Sequence, residues 1–539
     1  MVVWETNLIS LIINISIFLI CLFFIFLILS VWGFPLIKIS FFLLEWDFLS
    51  LKFNFYFNSI LFSFILILVT FRVLVFSTYY LSGELNFSYY YFVLLIFVGR
   101  IFSLNYSNSI FTILVSWDLL GISRFFLVLF YNNWDSCSGA INTALTNRLG
   151  DYFMFVFFGG SVYSSYYFLS FSFFRYFIIF LLFLTAFTKS AQFPFRSWLP
   201  KAIRAPTPVR SLVHSSTLVT AGLILLMNFN FLILAKNIIF FCLLIGIFTM
   251  FFSRVTALVE EDLKKVVALS TLSQIGFSIV TLGLGLSFIS FVHLVSHALF
   301  KSCLFIQVGY VIHCSFGQQD GRNYRNNGNL PFFIQIQLLV TLFCLCGLIF
   351  SRGSVRKDFI LEIFFINNFI IFFCVLFFLS VYITFGYSYR LWKSFFLSFN
   401  KVVNHFRSRF FFNFLSFFLV VLSITFLWWL NFNIINIPNL FLYLDFYVPL
   451  FYTIFIFFLF FFSLKLLFKE LTYKFLVDYL SKNSIYKIKN LKFFDLLLNN
   501  IISKGFGLFF FSSSYGGFFL KGKFFNSLVF LILIIFIFF

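Results

Sequence analysis

The chain has 539 residues, 62% of them hydrophobic and 10% charged, with a mean hydropathy of +1.06 and a formal net charge of +20. A water-soluble protein of this length cannot hide that much apolar surface. Runs of about 20 apolar residues recur almost end to end, each long enough to cross a bilayer. None shows the short alternating pattern of a barrel strand.

In lipid only helices and closed barrels satisfy the backbone, so the sequence predicts an all-α polytopic membrane protein. About 15 transmembrane helices are expected from runs of that length. In chain order they fall near 7–32, 58–81, 87–105, 108–131, 138–160, 174–193, 206–228, 236–254, 265–286, 288–312, 331–350, 356–385, 411–430, 447–468 and 525–539. The stretch at 34–55 is less continuous and reads as an extended hairpin at the surface. Prolines in "FPFRSWLP" and "APTPV" cannot sit inside an unbroken helix, so the span that follows them is interrupted. Irregular backbone at membrane depth is tolerated where it is buried in protein or lines a water cavity. From 469 to 523 Lys and Asp recur among Leu and Phe, the pattern of an amphipathic helix lying along a membrane or a partner.

The eight cysteines are scattered, and the nearest pair, Cys344 and Cys346, lies inside an apolar run. No C-x-x-C or His/Cys cluster suggests zinc or iron–sulfur ligation, and no phosphate loop is present. The chain is therefore expected to carry no metal and no redox cofactor of its own. Phe alone accounts for 100 residues, an excess that packing does not require. Phe codons are T-rich, which points to an AT-rich organelle genome. The opening "MVVWETNLISLIINISIFLICLFF" has no transit-peptide or cleavage pattern, as expected of a chain made inside the organelle.

Ionisable residues inside a span are costly and usually mark an ion path. The candidates are Asp118, Arg148, Asp151, Lys189, His214, His293, His297, Lys301, Lys357, Asp358 and Glu362. His293, His297 and Lys301 are spaced i, i+4, i+8 and share one helix face. Lys357, Asp358 and Glu362 head another span. Arg148 and Asp151, at i and i+3, read equally well as a structural ion pair. A proton relay needs groups that exchange protons near neutrality; His does so by default, and Lys when buried beside a carboxylate. Lys201, Lys264 and Lys265 lie near span ends and read at least as readily as snorkelling or positive-inside residues.

The stretches "TKSAQFPFRSWLPKAIRAPTPVRSLVHSSTLVTAG", "EEDLKKVVALSTLSQIGF", "HLVSHALFKSCLFIQVGYVIHCSFGQQDGR" and "RKDFILE" strongly resemble the antiporter-like chain 5 family of mitochondrial NADH:ubiquinone oxidoreductase, respiratory complex I, in a nematode version. The match is dense over 110–365. It implies two inverted five-helix repeats, each with a broken helix. It divides the chain into N-terminal helices (1–105), a proton-channel core (106–400), C-terminal helices (401–468), a lateral helix (469–523) and a terminal anchor (524–539). It also implies that Asp118 stands where the family has a Glu paired with the lysine at 189. His214 and the 293, 297, 301 set would form a central axis, and Lys357 with Asp358 the exit. Proton translocation across the mitochondrial inner membrane is the implied activity. NADH, FMN, iron–sulfur clusters and ubiquinone would be bound by other subunits. The implied partners are membrane-arm subunits of the chain 4 and chain 2 families, along the lateral helix, and inner-membrane lipid. The alternatives are a cation/proton antiporter subunit of the Mrp type and a structural subunit whose path is inactive.

The sequence departs from that family in two ways. Asp118 is one methylene shorter than Glu. Arginine occupies positions where the family has Ser, Gly or another small residue (Arg196, Arg204, Arg210, Arg254, Arg352, Arg356), and Arg72, Arg100, Arg124 and Arg175 fall in or beside apolar runs. Invertebrate mitochondria read AGA and AGG as Ser and AUA as Met, and the chain shows only 4 Met. Many of these arginines are therefore expected to be serine in the organelle-made chain. The basic balance is accordingly no sign of nucleic-acid binding.

Overall fold

A computed structural model of the chain describes residues 39–44, 51–81, 86–163, 172–202, 205–213, 217–229, 236–315, 317–321, 332–346 and 371–396, with isolated positions besides. The spans expected at 7–32, 411–430, 447–468 and 525–539 lie outside the described residues, the first save for isolated positions. So does the amphipathic stretch at 469–523.

Strands β1 (Ile39–Leu44) and β2 (Leu51–Phe55) pair antiparallel, Ile39 opposite Phe55, with an irregularity between Phe42 and Leu44. This is the hairpin that the interrupted hydropathy at 34–55 predicts, and among the described residues it is the one departure from an all-helical chain. The chain turns from β2 into α1 (Phe57–Tyr80) at Tyr56, whose N–H donates to Ser59 Oγ at 3.1 Å.

α2 (Phe87–Tyr106) and α3 (Ile110–Val128) follow, joined through a reciprocal cap. The Thr112 N–H donates to Ser109 Oγ at 3.3 Å and the Ser109 N–H to Thr112 Oγ1 at 3.2 Å. Such a box satisfies two of the orphan donors at a helix start. A single 3-10 turn (Leu129–Tyr131) ends α3, and α4 (Trp134–Tyr163) and α5 (Ser172–Ser190) come next.

Two glycines set how closely α5 is held. A Cβ at Gly150 of α4 would meet Thr188 Oγ1 of α5 at 2.0 Å. A Cβ at Gly222 would meet the Ala186 carbonyl oxygen, also on α5, at 2.5 Å. Gly150→Ala is expected to push α4 off α5 at a cost of about 1–3 kcal/mol, typical of overpacking. A lower melting temperature of the solubilised protein checks this; an unchanged one would contradict the close approach.

After α5 the chain reverses. Ala191 is left-handed at φ 57°, the Gln192 N–H returns to the Phe187 carbonyl at 3.0 Å, and the Trp198 indole N–H donates to the Thr188 carbonyl at 2.9 Å. α6 (Trp198–Lys201) is one turn long. The prolines mark a helix start: Pro206 caps α7 (Thr207–Leu212) and Pro208 lies in its first turn; Val213 and Thr217 then take π-helical geometry, and α8 (Leu218–Asn228) follows. Thr217 Oγ1 donates to the Leu212 carbonyl at 2.8 Å, so a side chain meets the last carbonyl of α7 where the α-helical pattern is interrupted by π geometry.

α9 (Lys236–Val259), α10 (Leu263–Gly283) and α11 (Ser287–Cys314) complete the centre. α1, α10 and α11 are buried along nearly all their length. α2, α3 and α4 keep one apolar face exposed, at Phe92, Phe126, Leu145 and Phe155 among others. α12 (Phe332–Cys346) and α13 (Ile371–Phe396) pack outside this centre. α13 runs eleven residues past the expected end at 385. Gly386, Ser388 and Arg390 interrupt the apolar run in the sequence. In the fold Ser388 Oγ donates to the Phe385 carbonyl, and the Arg390 guanidinium donates to the Leu258 carbonyl at the end of α9. Among the described residues seven helices are long and apolar enough to cross a membrane by length and composition.

Candidate functional site

Lys189 lies in the last turn of α5, wholly buried. Its Nζ donates to the Trp117 carbonyl oxygen of α3 at 2.5 Å and sits 3.7 Å above the Trp117 ring. The reversal after α5 holds it there, through the Trp198 clamp on the neighbouring Thr188 carbonyl. Asp151 on α4 is also buried, and its charge and that of Asp118 both act on Lys189.

The pairing differs from what the family resemblance implies. Asp118 does not contact Lys189. It accepts from Arg148 Nη1 at 2.6 Å, while Arg148 stands 3.6 Å from Asp151. Both groups of the short pair are partly exposed, at 51% for the Arg148 side chain and 37% for Asp118. The physical reason is reach: one turn along α4 brings Arg148 opposite Asp118, whose short side chain stays on the α3–α4 seam. The i, i+3 pair of Arg148 with Asp151 is present, but it is the longer arm of a three-residue network.

Magnitudes show what this arrangement does. Stripping an ammonium of water costs several kcal/mol. A hydrogen bond from a charged donor returns about 1.5–3 kcal/mol, and a ring contact about 0.5–2 kcal/mol. These local contacts roughly offset the loss of water and no more. The carboxylates therefore decide how readily Lys189 holds its proton. Moving a unit charge from ~4 Å to ~8 Å changes its interaction by about 2 kcal/mol at an effective dielectric of ~20. That is enough to change proton occupancy more than tenfold. Arg148, placed between two carboxylates, is such a movable charge.

The second cluster is on α11. His293, His297 and Lys301 share one face of an unbroken helix, as their spacing predicts. Lys301 is wholly buried and its Nζ donates to Ser270 Oγ of α10 at 2.6 Å. His297 is buried, and neither of its ring nitrogens has a hydrogen-bond partner among the described residues. His293 is half-buried and meets the Phe277 ring edge-on at 5.0 Å. Next to Lys189 in sequence, Ser190 Oγ and Gln192 Oε1, and on α4 the Asn147 amide, one turn before Asp151, are buried without a protein partner among the described residues. Polar atoms so placed are normally met by water.

His214, Lys357, Asp358 and Glu362 lie outside the described residues. Reading the sequence missed Trp117 and Ser270, since a backbone carbonyl and a lone serine carry no pattern. It also ranked Lys264 with the surface lysines. Lys265 does pair at the surface, with Asp262 at 2.6 Å, but Lys264 is only 7% exposed.

Two arginines fit poorly with their surroundings. Arg124 is wholly buried over the Trp198 ring at 3.7 Å, and Nε, Nη1 and Nη2 all lack a hydrogen-bond partner among the described residues. Arg72 Nη1 is pressed to 2.5 Å from Cys303 Sγ, with Nε and Nη2 unpartnered.

Among the described residues no group of three or more His, Cys, Asp or Glu could hold a metal. A helical membrane chain with a broken helix and buried lysines on several spans is of antiporter type, and residues 107–384 match the family model of the NADH:quinone oxidoreductase/Mrp antiporter transmembrane region. Among solved structures, the Mrp complex from Dietzia sp. DQ12-45-1b shares the fold, with TM-score 0.63 and 22% identity over 80% of this chain and 55% of that one. An archaeal membrane-bound sulfane sulfur reductase does too, with TM-score 0.69 and 17% identity over 79% of this chain and 90% of that one. NADH-ubiquinone oxidoreductase chain 5 of Caenorhabditis elegans is 74% identical over 97% of this chain and 99% of its own length. The Ascaris suum protein of that name is 64% identical over 93% of this chain and 91% of its own. The chain belongs to the NADH-ubiquinone oxidoreductase chain 5 family.

Proposed function

We propose that the chain is a core membrane subunit of mitochondrial NADH:ubiquinone oxidoreductase that translocates protons across the inner membrane while other subunits pass electrons from NADH to ubiquinone. The observation that carries this reading is Lys189: a buried amine on a carbonyl and a ring, with its carboxylates one step away. When Arg148 stands on Asp118 and keeps only the longer 3.6 Å contact to Asp151, Asp151 supports the ammonium. When Arg148 turns to Asp151, that support is cancelled and Lys189 releases its proton towards the broken helix and His214. Lys301 and the histidines of α11 receive it, and Lys357 with Asp358 is the exit that the family resemblance implies. In this reading FMN, iron–sulfur clusters and both redox substrates are bound elsewhere in the complex. The 469–523 helix runs along neighbouring subunits of the chain 4 and chain 2 families.

Position 124 follows from the same reading. The charge at Arg124 acts on Lys189, and a guanidinium does not deprotonate. Burying it costs several kcal/mol, which one ring contact of about 2 kcal/mol does not offset. A serine there would remove both difficulties, and we propose that positions 72 and 124 carry serine in the organelle-made chain.

One experiment tests both statements: peptide mass spectrometry on the NADH-oxidising band of a native gel of source mitochondria. The chain is expected in that band, with serine mass and no tryptic cut at 124. Its repeated absence from a well-covered band would refute the assignment to the complex. An arginine mass at 124 would refute the serine proposal and place a permanent cation beside Lys189.

A further inference from the structure

Asn147 carries a buried amide that the path described above does not use. It is 3% exposed, in the middle of α4, and neither Oδ1 nor Nδ2 has a hydrogen-bond partner among the described residues. An amide shut away from water with its hydrogen bonds unmade is costly, and it is kept where something polar meets it. Two close contacts place it. A Cβ at Gly121 of α3 would lie 3.8 Å from Asn147 Nδ2, so the amide rests against α3 one turn after Trp117, whose carbonyl holds Lys189. Further along α4, Gly150 is pressed against Thr188 of α5, and the residues that follow these two are Asp151 and Lys189. Asn147, Gly150 and Asp151, at i, i+3 and i+4, share the buried face of α4 that packs on α3 and α5.

Asp151 and Lys189 act on each other by charge without touching. Among the described residues they form no ion pair: Asp151 Oδ2 stands 3.6 Å from Arg148 Nη1, and Asp151 Oδ1 has no partner. Lys189 Nζ has three N–H groups and places one on the Trp117 carbonyl. Trp117 Nε1, on the ring that the ammonium covers, and Ser190 Oγ are also buried without a partner among the described residues. An acid and a base are thus held apart, and unmet donors and acceptors stand on all three helices that meet there. A buried water needs about two to four polar partners, and Asp151 Oδ1, the remaining Lys189 N–H groups and the Asn147 amide supply them. The amide suits the place because it donates and accepts at once and does not titrate, so it holds a water whichever way the proton moves. A residue that only filled space would not need these groups; leucine has the same branched shape and buries no polar atom.

We propose that Asn147 is a positioning residue of the proton path, whose amide holds the water through which Asp151 and Lys189 exchange a proton. The inference rests on the proposed function and adds the step that reloads Lys189. The protonated Asp151 carboxyl gives its proton to the water as the water gives one to the neutral Lys189 amine. The products are a carboxylate and an ammonium, and the water is unchanged. The carboxylate then supports the ammonium until Arg148 turns to it.

The test is Asn147→Leu and Asn147→Ser in the assembled complex, in inner-membrane vesicles, read as coupled NADH oxidation per assembled complex. Leucine keeps the shape and removes both hydrogen-bonding groups. Serine keeps a group that donates and accepts, and leaves room for a second water. Misplacing a reacting group costs up to about 10²-fold on its own path, and less where other subunits carry protons in parallel; coupled turnover of the leucine variant is expected to fall about threefold or more. The serine variant is expected to stay well above it. Because its bridge is one water longer, the serine variant should also slow more in heavy water than the wild type does. Normal turnover of the leucine variant overturns the proposal. So does a loss in serine equal to or greater than that in leucine, the pattern of a packing residue, and so does a wild-type slowing of the serine variant in heavy water. If the leucine complex does not assemble, the heavy-water measurement on the serine complex decides. Failure of the serine complex to assemble overturns the proposal, since it would mark a structural amide. Lys189→Ala is measured alongside. If it too turns over normally, the proposed function itself fails. If it is slow while Asn147→Leu is normal, only the present inference falls.

Discussion

Lys189→Ala is expected to lower coupled NADH oxidation several-fold while leaving the complex assembled. The substitution removes the buried amine on which the charges of Asp118, Arg148 and Asp151 all act. It leaves the Trp117 carbonyl without its side-chain donor and Asp151 without a cation to answer. A positioned proton carrier contributes about 10²–10⁴ to transfer through its own path. The loss seen in the whole complex is smaller wherever other subunits carry protons in parallel. The vacated volume lies between α3 and α5, whose register is fixed independently by the Trp198 clamp and the Gly150 contact. Misfolding is therefore not the expected result. Native-gel abundance separates the two outcomes: a normal amount of complex with low coupled turnover is expected, and normal turnover would contradict the role of Lys189.

The second large effect falls on α11. Lys301→Met is expected to abolish transfer along the histidine face with a loss comparable to that of Lys189→Ala. Methionine matches the lysine stem in bulk, so the buried volume is kept and the titratable group is lost. Ser270→Ala provides the contrast. It removes only the hydroxyl that accepts from Lys301 at 2.6 Å. The amine stays, and the expected effect is about 1–3 kcal/mol on its placement rather than loss of the path. Coupled turnover of the two variants, measured per assembled complex, checks this. Equal effects would mean that Lys301 acts through its bond to Ser270 and not as a carrier.

The helices and the interruption were readable because each depends on local sequence. Apolar length fixed α1, α2 and α9 to α11 within a few residues, and the prolines at 206 and 208 located the start of α7. The weak hydropathy of 34–55 pointed to the hairpin, and the i, i+4, i+8 spacing placed His293, His297 and Lys301 on one face. What failed was everything that depends on a neighbour distant in sequence. Asp118 turned to Arg148, 30 positions on, because helix packing brought that charge closer than Lys189. Lys264 and Lys265 are adjacent in sequence. Lys264 is 7% exposed while Lys265 pairs with Asp262 at the surface, a difference that no local pattern encodes. The end of α13 was placed too early because the apolar run stops at 385, while Ser388 and Arg390 beyond it are accommodated by bonds to the same helix and to α9.

Whether this chain moves protons through a buried lysine is tested most directly by the number of protons translocated per electron in vesicles carrying Lys189→Arg. That variant preserves charge and approximate length and removes the capacity to release a proton. A ratio clearly below the wild-type value, with electron transfer to quinone retained in uncoupled membranes, is the expected result. A wild-type ratio would contradict the account, since a permanent cation at 189 would then serve as well as a titrating one.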